Sequence, residues 1–283
     1  MRGITSCRLG AAVLAVLSFS GFTNAAVHTY TAPGTFGNLD QNSITGQPTG
    51  VPANACVPTS VANGLIWLDN TYHIPGLIQG NGYPTIDSLI TDMSTTSAGT
   101  TFPEMVSGTK TYIGPTGQNV SPPVTVPSGQ VSGGLAGQPV IQNSKPTAAF
   151  LYNNLSAGNA VEFWINWFDS STNSFKGAHA LTLTAISYDD TSGNGTLDFL
   201  DPFGAGAAVP VIGATFNTRS DGYLFINAGY NGGAANNGAD PDNAVRSSTG
   251  AIIVDLVQAA PEPVSCGFFI IAAAGLAVRR TRR

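Results

Sequence analysis

The sequence predicts an α+β domain, and three observations carry that expectation. Apolar residues recur at helical spacing only in the first part of the chain, around 58–94 and again at 146–155. From residue 160 onward the pattern changes to runs rich in Val, Ile, Phe and Trp, bounded by Gly, Asn and Asp, as strands require. Helices that precede the strands, and do not alternate with them, imply helices packed on an antiparallel sheet.

The elements follow in order. Residues 1–26 carry the three parts of a secretory signal. Arg2 and Arg8 give a basic start, 9–22 is an almost uncharged apolar run, and Thr23-Asn24-Ala25-Ala26 offers small residues for cleavage after Ala25 or Ala26. The domain proper, 27–258, has the length of one unit of about 230 residues. Its opening, to Ala55, is rich in Gly, Pro, Asn and Thr and reads as extended chain and turns. A helix is expected over 58–70, because Pro58 suits a first helical position and Val61, Leu65, Leu68 and Tyr72 share one face. A second is expected over 85–94, with Ile86, Leu89, Ile90 and Met93 in one stripe. Residues 107–145 lack helical periodicity and read as a β-rich insertion of short strands. A third helix is expected over 146–155, closing on Gly158. Strands are expected at 160–168, 179–188, 195–200, 223–228 and 251–257, with a Gly/Asn-rich loop at 229–243.

The last segment, 259–283, combines Pro261-Glu262-Pro263, an uncharged apolar stretch at 264–278 and the cluster Arg279-Arg280-Thr281-Arg282-Arg283. The apolar stretch is shorter than the roughly 20 residues that cross a bilayer comfortably, but tilt and snorkelling accommodate such a mismatch. The arginines are expected to stay on the cytoplasmic side. Proline–acid–proline, apolar run and arginine cluster in this order resemble the PEP-CTERM sorting tail. That resemblance implies a transient membrane anchor and processing by an exosortase, a membrane transpeptidase that cuts near Pro261-Glu262-Pro263. A plain C-terminal membrane anchor is the alternative. Either way the expected destination is the bacterial cell envelope or the exterior.

Charge and cysteine content narrow the function classes. Six of the eleven basic residues lie in the two end segments, and the domain keeps only Lys110, Lys145, Lys176, Arg219 and Arg246 against a large excess of acids. Such a surface repels phosphate backbones, which disfavours nucleic-acid partners. Cys7 leaves with the signal and Cys266 lies in the tail, so Cys56 is the domain's single thiol, with no partner for an internal disulfide. In an oxidising compartment such a thiol is either buried or used.

Cys56 stands immediately before the helix at Pro58. A helix N-terminus carries partial positive charge and unpaired amides, which favour a thiolate, and the thiolate is the nucleophilic form. An inert buried cysteine is the competing reading. Of the three histidines, His28 sits near the start of the domain and His73 in an exposed turn. His179 opens a strand, the most rigid setting for a base. Asp201 follows His179 by 22 residues at the end of the neighbouring strand, where it can orient the ring; as part of Asp-Pro it also suits a simple turn.

Together these segments resemble a known family. Cys56-Val57-Pro58-Thr59-Ser60-Val61-Ala62-Asn63 is similar to the nucleophile segment of papain-like cysteine peptidases of the bacteriocin-processing (double-glycine peptidase) type, which read Cys-Gly-Pro-Thr or Cys-Gly-Pro-Ala. Gly177-Ala178-His179-Ala180-Leu181-Thr182-Leu183, Leu200-Asp201-Pro202 and Leu155-Ser156-Ala157-Gly158-Asn159-Ala160-Val161 resemble three further segments of that family. The resemblance implies a papain-like fold and hydrolysis of a peptide or amide bond in a peptide or protein substrate. It implies Cys56 as nucleophile, His179 as general base and later acid, and Asp201 as the group that orients His179. The family also places an oxyanion-binding glutamine shortly before the cysteine. Gln47, nine residues upstream, is the nearer candidate and Gln41, fifteen upstream, the more distant one. Val57 stands where the family has glycine.

No cofactor is implied, and so few histidines and thiols speak against a catalytic metal. Two other classes compete with the hydrolase: a non-catalytic cell-surface or matrix protein on a papain-like scaffold, and a calcium-dependent adhesin using the acids of 236–242, which lack regular ligand spacing.

Overall fold

The computed structural model describes residues 25–114, 124–131, 141–143, 145–169, 175–220, 222, 224–228 and 244–256. The signal segment (but for its last two residues), the tail, the loop at 229–243 and much of the expected insertion lie outside the described residues. Among the described residues four helices and nine strands make a mixed α+β architecture: β1 (Val27–Thr31), α1 (Cys56–Tyr72), α2 (Tyr83–Asp92), α3 (Phe102–Ile113), β2 (Val124–Val131), β3 (Ile141–Asn143), α4 (Ala148–Ser156), β4 (Ala160–Asp169), β5 (Phe175–Asp189), β6 (Gly195–Asp201), β7 (Val209–Thr218), β8 (Leu224–Ala228) and β9 (Ala244–Leu256). Single-turn helices at Gln41–Ser43 and Pro52–Asn54 precede α1. Among the described residues no helix is long and apolar enough to cross a membrane.

All strand pairs are antiparallel except β2 with β3. The ladder runs β1-β5-β6-β7-β8-β9-β2-β3, and β4 bridges β5 and β9. The path from β4 through β5, β6, β7, β8 and β9 therefore returns to β4, so the sheet curls into a closed ring. Closure of this kind removes exposed strand edges.

Helix α1 is the central element. It lies against β4 and β5, with α2 and α3 packed beside it and α4 on the flank formed by β1, β4 and β5. Val57, Val61, Leu65, Trp67 and Leu68 are buried from one end of α1 almost to the other. Such burial stabilises by about 25 cal/mol for each Å² of apolar surface removed from water. α1 starts two residues earlier than Pro58 suggests. Proline is tolerated at the third helical position because the first amides of a helix have no intrahelical acceptor in any case. The helix ends at His73, an exposed cap with a left-handed φ of 52°.

The helix at 85–94 is observed as Tyr83–Asp92, with proline in its first turn. The helix at 146–155 is observed as Ala148–Ser156, capped by the Thr147 hydroxyl, which accepts from the Phe150 amide at 3.0 Å. Three elements depart from expectation. α3 occupies the first part of the expected β-rich insertion and the few residues before it, which were given no element. Ser107, Gly108 and Thr109 dilute its apolar stripe, yet its start is marked by a capping box in which Thr101 and Glu104 satisfy each other's backbone amides. β7 was not expected, because Pro210 and Gly213 interrupt its alternation. β1 makes the start of the domain, expected as extended chain and turns, a regular strand paired with β5.

One buried contact joins α1 to the sheet in an unusual way. Glu162 of β4 is fully buried, and neither carboxyl oxygen has a partner among the described residues. Burial holds its carboxyl well above the usual carboxylate range. Gly64 of α1 makes room for it, since a Cβ at that position would collide with Glu162 Oε1.

Candidate functional site

Cys56 is the first residue of α1. Ala55 before it offers no capping side chain, so the backbone amides of the first turn are not taken up by one. Ala55 and Val57 are buried, whereas Cys56 is partly accessible. Val57 belongs to the hydrophobic core, so its side chain is turned inward.

The β5–β6 hairpin brings His179 and Asp201 together. Thr182 pairs with Leu200, and continuing that register sets Asp201 opposite Leu181, on the same strand face as His179 and one side-chain repeat away. The His179 Nε2–H donates to Asp201 Oδ1 at 2.6 Å, and both side chains are buried. The Phe203 N–H donates to the same oxygen at 2.8 Å. His179 does not open its strand as expected but lies inside β5, paired with Ile165.

The His179 ring also hydrogen-bonds Cys56. With Nε2 committed to Asp201, the nitrogen facing the thiol is Nδ1. Burial alone pushes the Cys56 thiol up. The His179 charge, the hydrogen bond from its ring and a backbone hydrogen bond with Ala180 outweigh burial, and the thiol lies below its ordinary value. Burial likewise opposes the His179 charge, but Asp201 and Cys56 overcome it and push the imidazole up to about 10. Each group thus favours the charged form of the other.

Two hydroxyls fix the distance between the elements that carry this pair. The Ser60 hydroxyl donates to the Ala180 carbonyl at 2.8 Å, and the Thr182 hydroxyl donates to the Ser60 carbonyl at 2.8 Å. Both bonds are buried and join the second turn of α1 to β5 directly after His179. Neither residue stands out in the sequence, because their spacing matters only once α1 lies on β5.

The two glutamines lie in different settings. Gln47 donates its amide to Asp87 Oδ1 of α2 at 2.8 Å, so it serves the packing of α2. Gln41 is buried. Its backbone N–H donates to the Pro202 carbonyl at 2.9 Å, and its side-chain Nε2 donates to the Ala53 carbonyl at 2.8 Å, just ahead of Cys56. Its Oε1 has no partner among the described residues. Proximity in sequence favoured Gln47. The chain between the two single-turn helices leads away and returns, which leaves the more distant glutamine bonded to Ala53, three residues before Cys56, and to Pro202, the residue after Asp201.

The other histidines sit elsewhere. His28 stacks on Tyr188, with its Nε2 3.6 Å from Asp190 Oδ2. His73 caps the opposite end of α1, about 25 Å from Cys56 at 1.5 Å per helical residue. Among the described residues no three His, Cys, Asp or Glu side chains gather in a way that could hold a metal ion; the acids of 236–242 lie outside the described residues. Compared with known proteins, the chain matches no family model and no curated protein.

Proposed function

We propose that the protein is an exported thiol hydrolase that cleaves a peptide or amide bond with Cys56, His179 and Asp201. One observation carries this reading: the thiol of Cys56, a partly accessible residue at a helix N-terminus, shares a histidine ring with a buried aspartate 2.6 Å from the other ring nitrogen. An inert buried cysteine requires neither partner.

The chemistry follows from the arrangement. The Cys56 thiolate adds to the substrate carbonyl carbon, and the π electrons move onto oxygen. The amides at the start of α1 and the second N–H of the Gln41 side chain supply donors for that oxyanion. The His179 imidazolium then protonates the leaving nitrogen as the C–N bond breaks, leaving a thioester on Cys56. Neutral His179 next takes a proton from water, the hydroxide adds to the thioester, and the thiolate departs with the imidazolium restored. Asp201 holds the ring in one orientation through both half-reactions.

Export rests on the basic, apolar and small-residue order of 1–26. Sorting to the envelope rests on the tail at 259–283, which resembles an exosortase substrate and serves as a transient anchor. Mass spectrometry of the mature protein tests both: it should begin after Ala25 or Ala26 and end near Pro261-Glu262-Pro263. Termini at Met1 and Arg283 rule the export reading out.

Alkylation tests the hydrolase. Iodoacetamide should label Cys56 in the folded protein near neutral pH, and His179→Ala should slow the labelling by tenfold or more, in proportion to the lost thiolate. A thiol that resists iodoacetamide, or that reacts equally fast without His179, leaves the non-catalytic scaffold as the better description.

A further inference from the structure

The segment just ahead of the candidate site makes an unusual set of bonds. Asp40 is completely buried in a stretch of chain with no long helix or strand of its own. Its Oδ1 accepts the Gly204 N–H at 3.0 Å and its Oδ2 accepts the Gly206 N–H at 2.9 Å. The same two oxygens accept the Asn42 N–H and the Ser43 hydroxyl, so the carboxyl group is fully engaged. Gln41 N–H donates to the Pro202 carbonyl at 2.9 Å, and Asn42 Nδ2 donates to the Gly204 carbonyl at 2.9 Å. Three consecutive residues thus hold the five residues that directly follow Asp201.

The other side of the segment is tied to the nucleophile. Asn63 of α1 clasps Leu39 with both ends of its amide, accepting the Leu39 N–H at 2.8 Å and donating to the Leu39 carbonyl at 3.1 Å. Gln41 Nε2 reaches the Ala53 carbonyl. The loop itself is built for this embrace. A side chain at position 204 would strike the Ala207 carbonyl, and Gly206 has a φ of +96°, open to glycine and strained for other residues.

We infer that residues 39–42 form a strap that joins the Asp201 loop to the Cys56 helix, and that Asp40 is a positioning residue for the His179–Asp201 pair. Asp201 Oδ1 is shared between the His179 ring and the Phe203 N–H, so the course of 202–206 sets where that oxygen points. The strap holds the course. Release of Gly204 and Gly206 lets Asp201 turn toward water and leaves the imidazolium without its partner, and the thiolate then loses its own. This inference rests on the thiol-hydrolase reading, and it assigns Asp40 no contact with substrate.

The test measures Cys56 alkylation by iodoacetamide as a function of pH in the full-length protein, with far-ultraviolet circular dichroism as a check on folding. Asp40→Asn keeps the shape but places an amide where one of the two glycine N–H groups needs an acceptor. The acid limb of the profile should move upward by about one pH unit, a loss of roughly tenfold in rate at a fixed mildly acidic pH. Asn42→Ala, which removes only the bond to the Gly204 carbonyl, should move it the same way by about half as much, and it decides the question if Asp40→Asn fails to fold. A depressed profile in the unmodified protein that the folded variants keep unchanged overturns the strap alone, even if they melt earlier. An ordinary thiol profile in the unmodified protein overturns the hydrolase reading and the strap together.

Discussion

The Nε2 of His179 lies 2.6 Å from Asp201 Oδ1, inside a region from which both side chains are almost wholly screened from water. A buried carboxylate this close to one ring nitrogen stabilises positive charge on the ring, and the other nitrogen hands that stabilisation on to Cys56. Asp201→Asn should therefore weaken the thiolate. The direct repulsion between Asp201 and Cys56 acts the other way, but it is the smallest influence on the thiol. The expected outcome is a fall of about tenfold or more in iodoacetamide labelling at neutral pH, with the fold retained. Labelling as fast as in the unmodified protein contradicts the arrangement.

The pH dependence of the pair has a definite sign. Reaction needs the thiolate and, for amide cleavage, the imidazolium. The thiol lies below its ordinary value, so the rate should rise with pH well before a free cysteine would respond. Amide cleavage should fall again as pH passes about 10, where His179 gives up its proton, whereas alkylation, which needs only the thiolate, should not. His179→Ala should abolish the plateau and move alkylation toward ordinary thiol behaviour. Stopped-flow alkylation from pH 4 to 11 distinguishes the two shapes.

Much of this site was legible in the sequence, and the reasons are local. Cys56 announces a helix start because Pro58 and the stripe from Val61 to Tyr72 define that helix within a few residues. His179 and Asp201 are separated by one hairpin, and hairpin register is decided by the turn and the apolar alternation. The papain-like fold itself does not follow from the four helices and the curled sheet. What escaped depends on packing between distant segments. α3 was missed because Gly108 and its polar neighbours blur the stripe, although the Thr101–Glu104 box was there to be read. Asp40 and Ser60 carry no mark of their distant bonds, since Gly204, Gly206 and Ala180 lie 120 or more residues away, and Gln41 was legible only as the more distant of two candidates. Glu162 sits in a strand otherwise composed for burial, and no pattern signals a carboxyl kept neutral inside.

Glu162 makes the folded protein sensitive to alkali. Its folded value is raised above the ordinary 4.5, so the unfolded chain loses the proton first as pH rises. Stability therefore declines with pH from about the unfolded value upward. Glu162→Gln cannot ionise and should melt with a shallower dependence between pH 5 and pH 8 than the unmodified protein. Parallel melting curves across that range contradict a buried neutral acid.

Gly64 should be intolerant of enlargement for the same reason. In an exposed helix, Gly→Ala gains up to about 1 kcal/mol in propensity. At Gly64 the new methyl meets Glu162 Oε1, and overpacking of a tight interior costs about 1–3 kcal/mol. Gly64→Ala should lower the melting temperature, and Gly64→Ala combined with Glu162→Ala should cost less than the two single changes added together. Simple additivity would mean that the two side chains do not share the space.

The two glutamines provide the sharpest contrast, because sequence distance and spatial placement point to different residues. Gln47 is spent on Asp87, so Gln47→Ala should change hydrolysis of an activated peptide ester by no more than a few-fold. Gln41 is held at Ala53 on one side and Pro202 on the other, with a second side-chain N–H still available beyond the bond to Ala53. As an oxyanion donor its loss should lower kcat by about a hundredfold or more while leaving Cys56 alkylation at neutral pH within a few-fold of normal. The alkylation control matters, because Gln41 also belongs to the strap. A loss that appears equally in alkylation and turnover marks Gln41 as structural support for the thiolate, whereas a loss confined to turnover places its amide at the developing oxyanion.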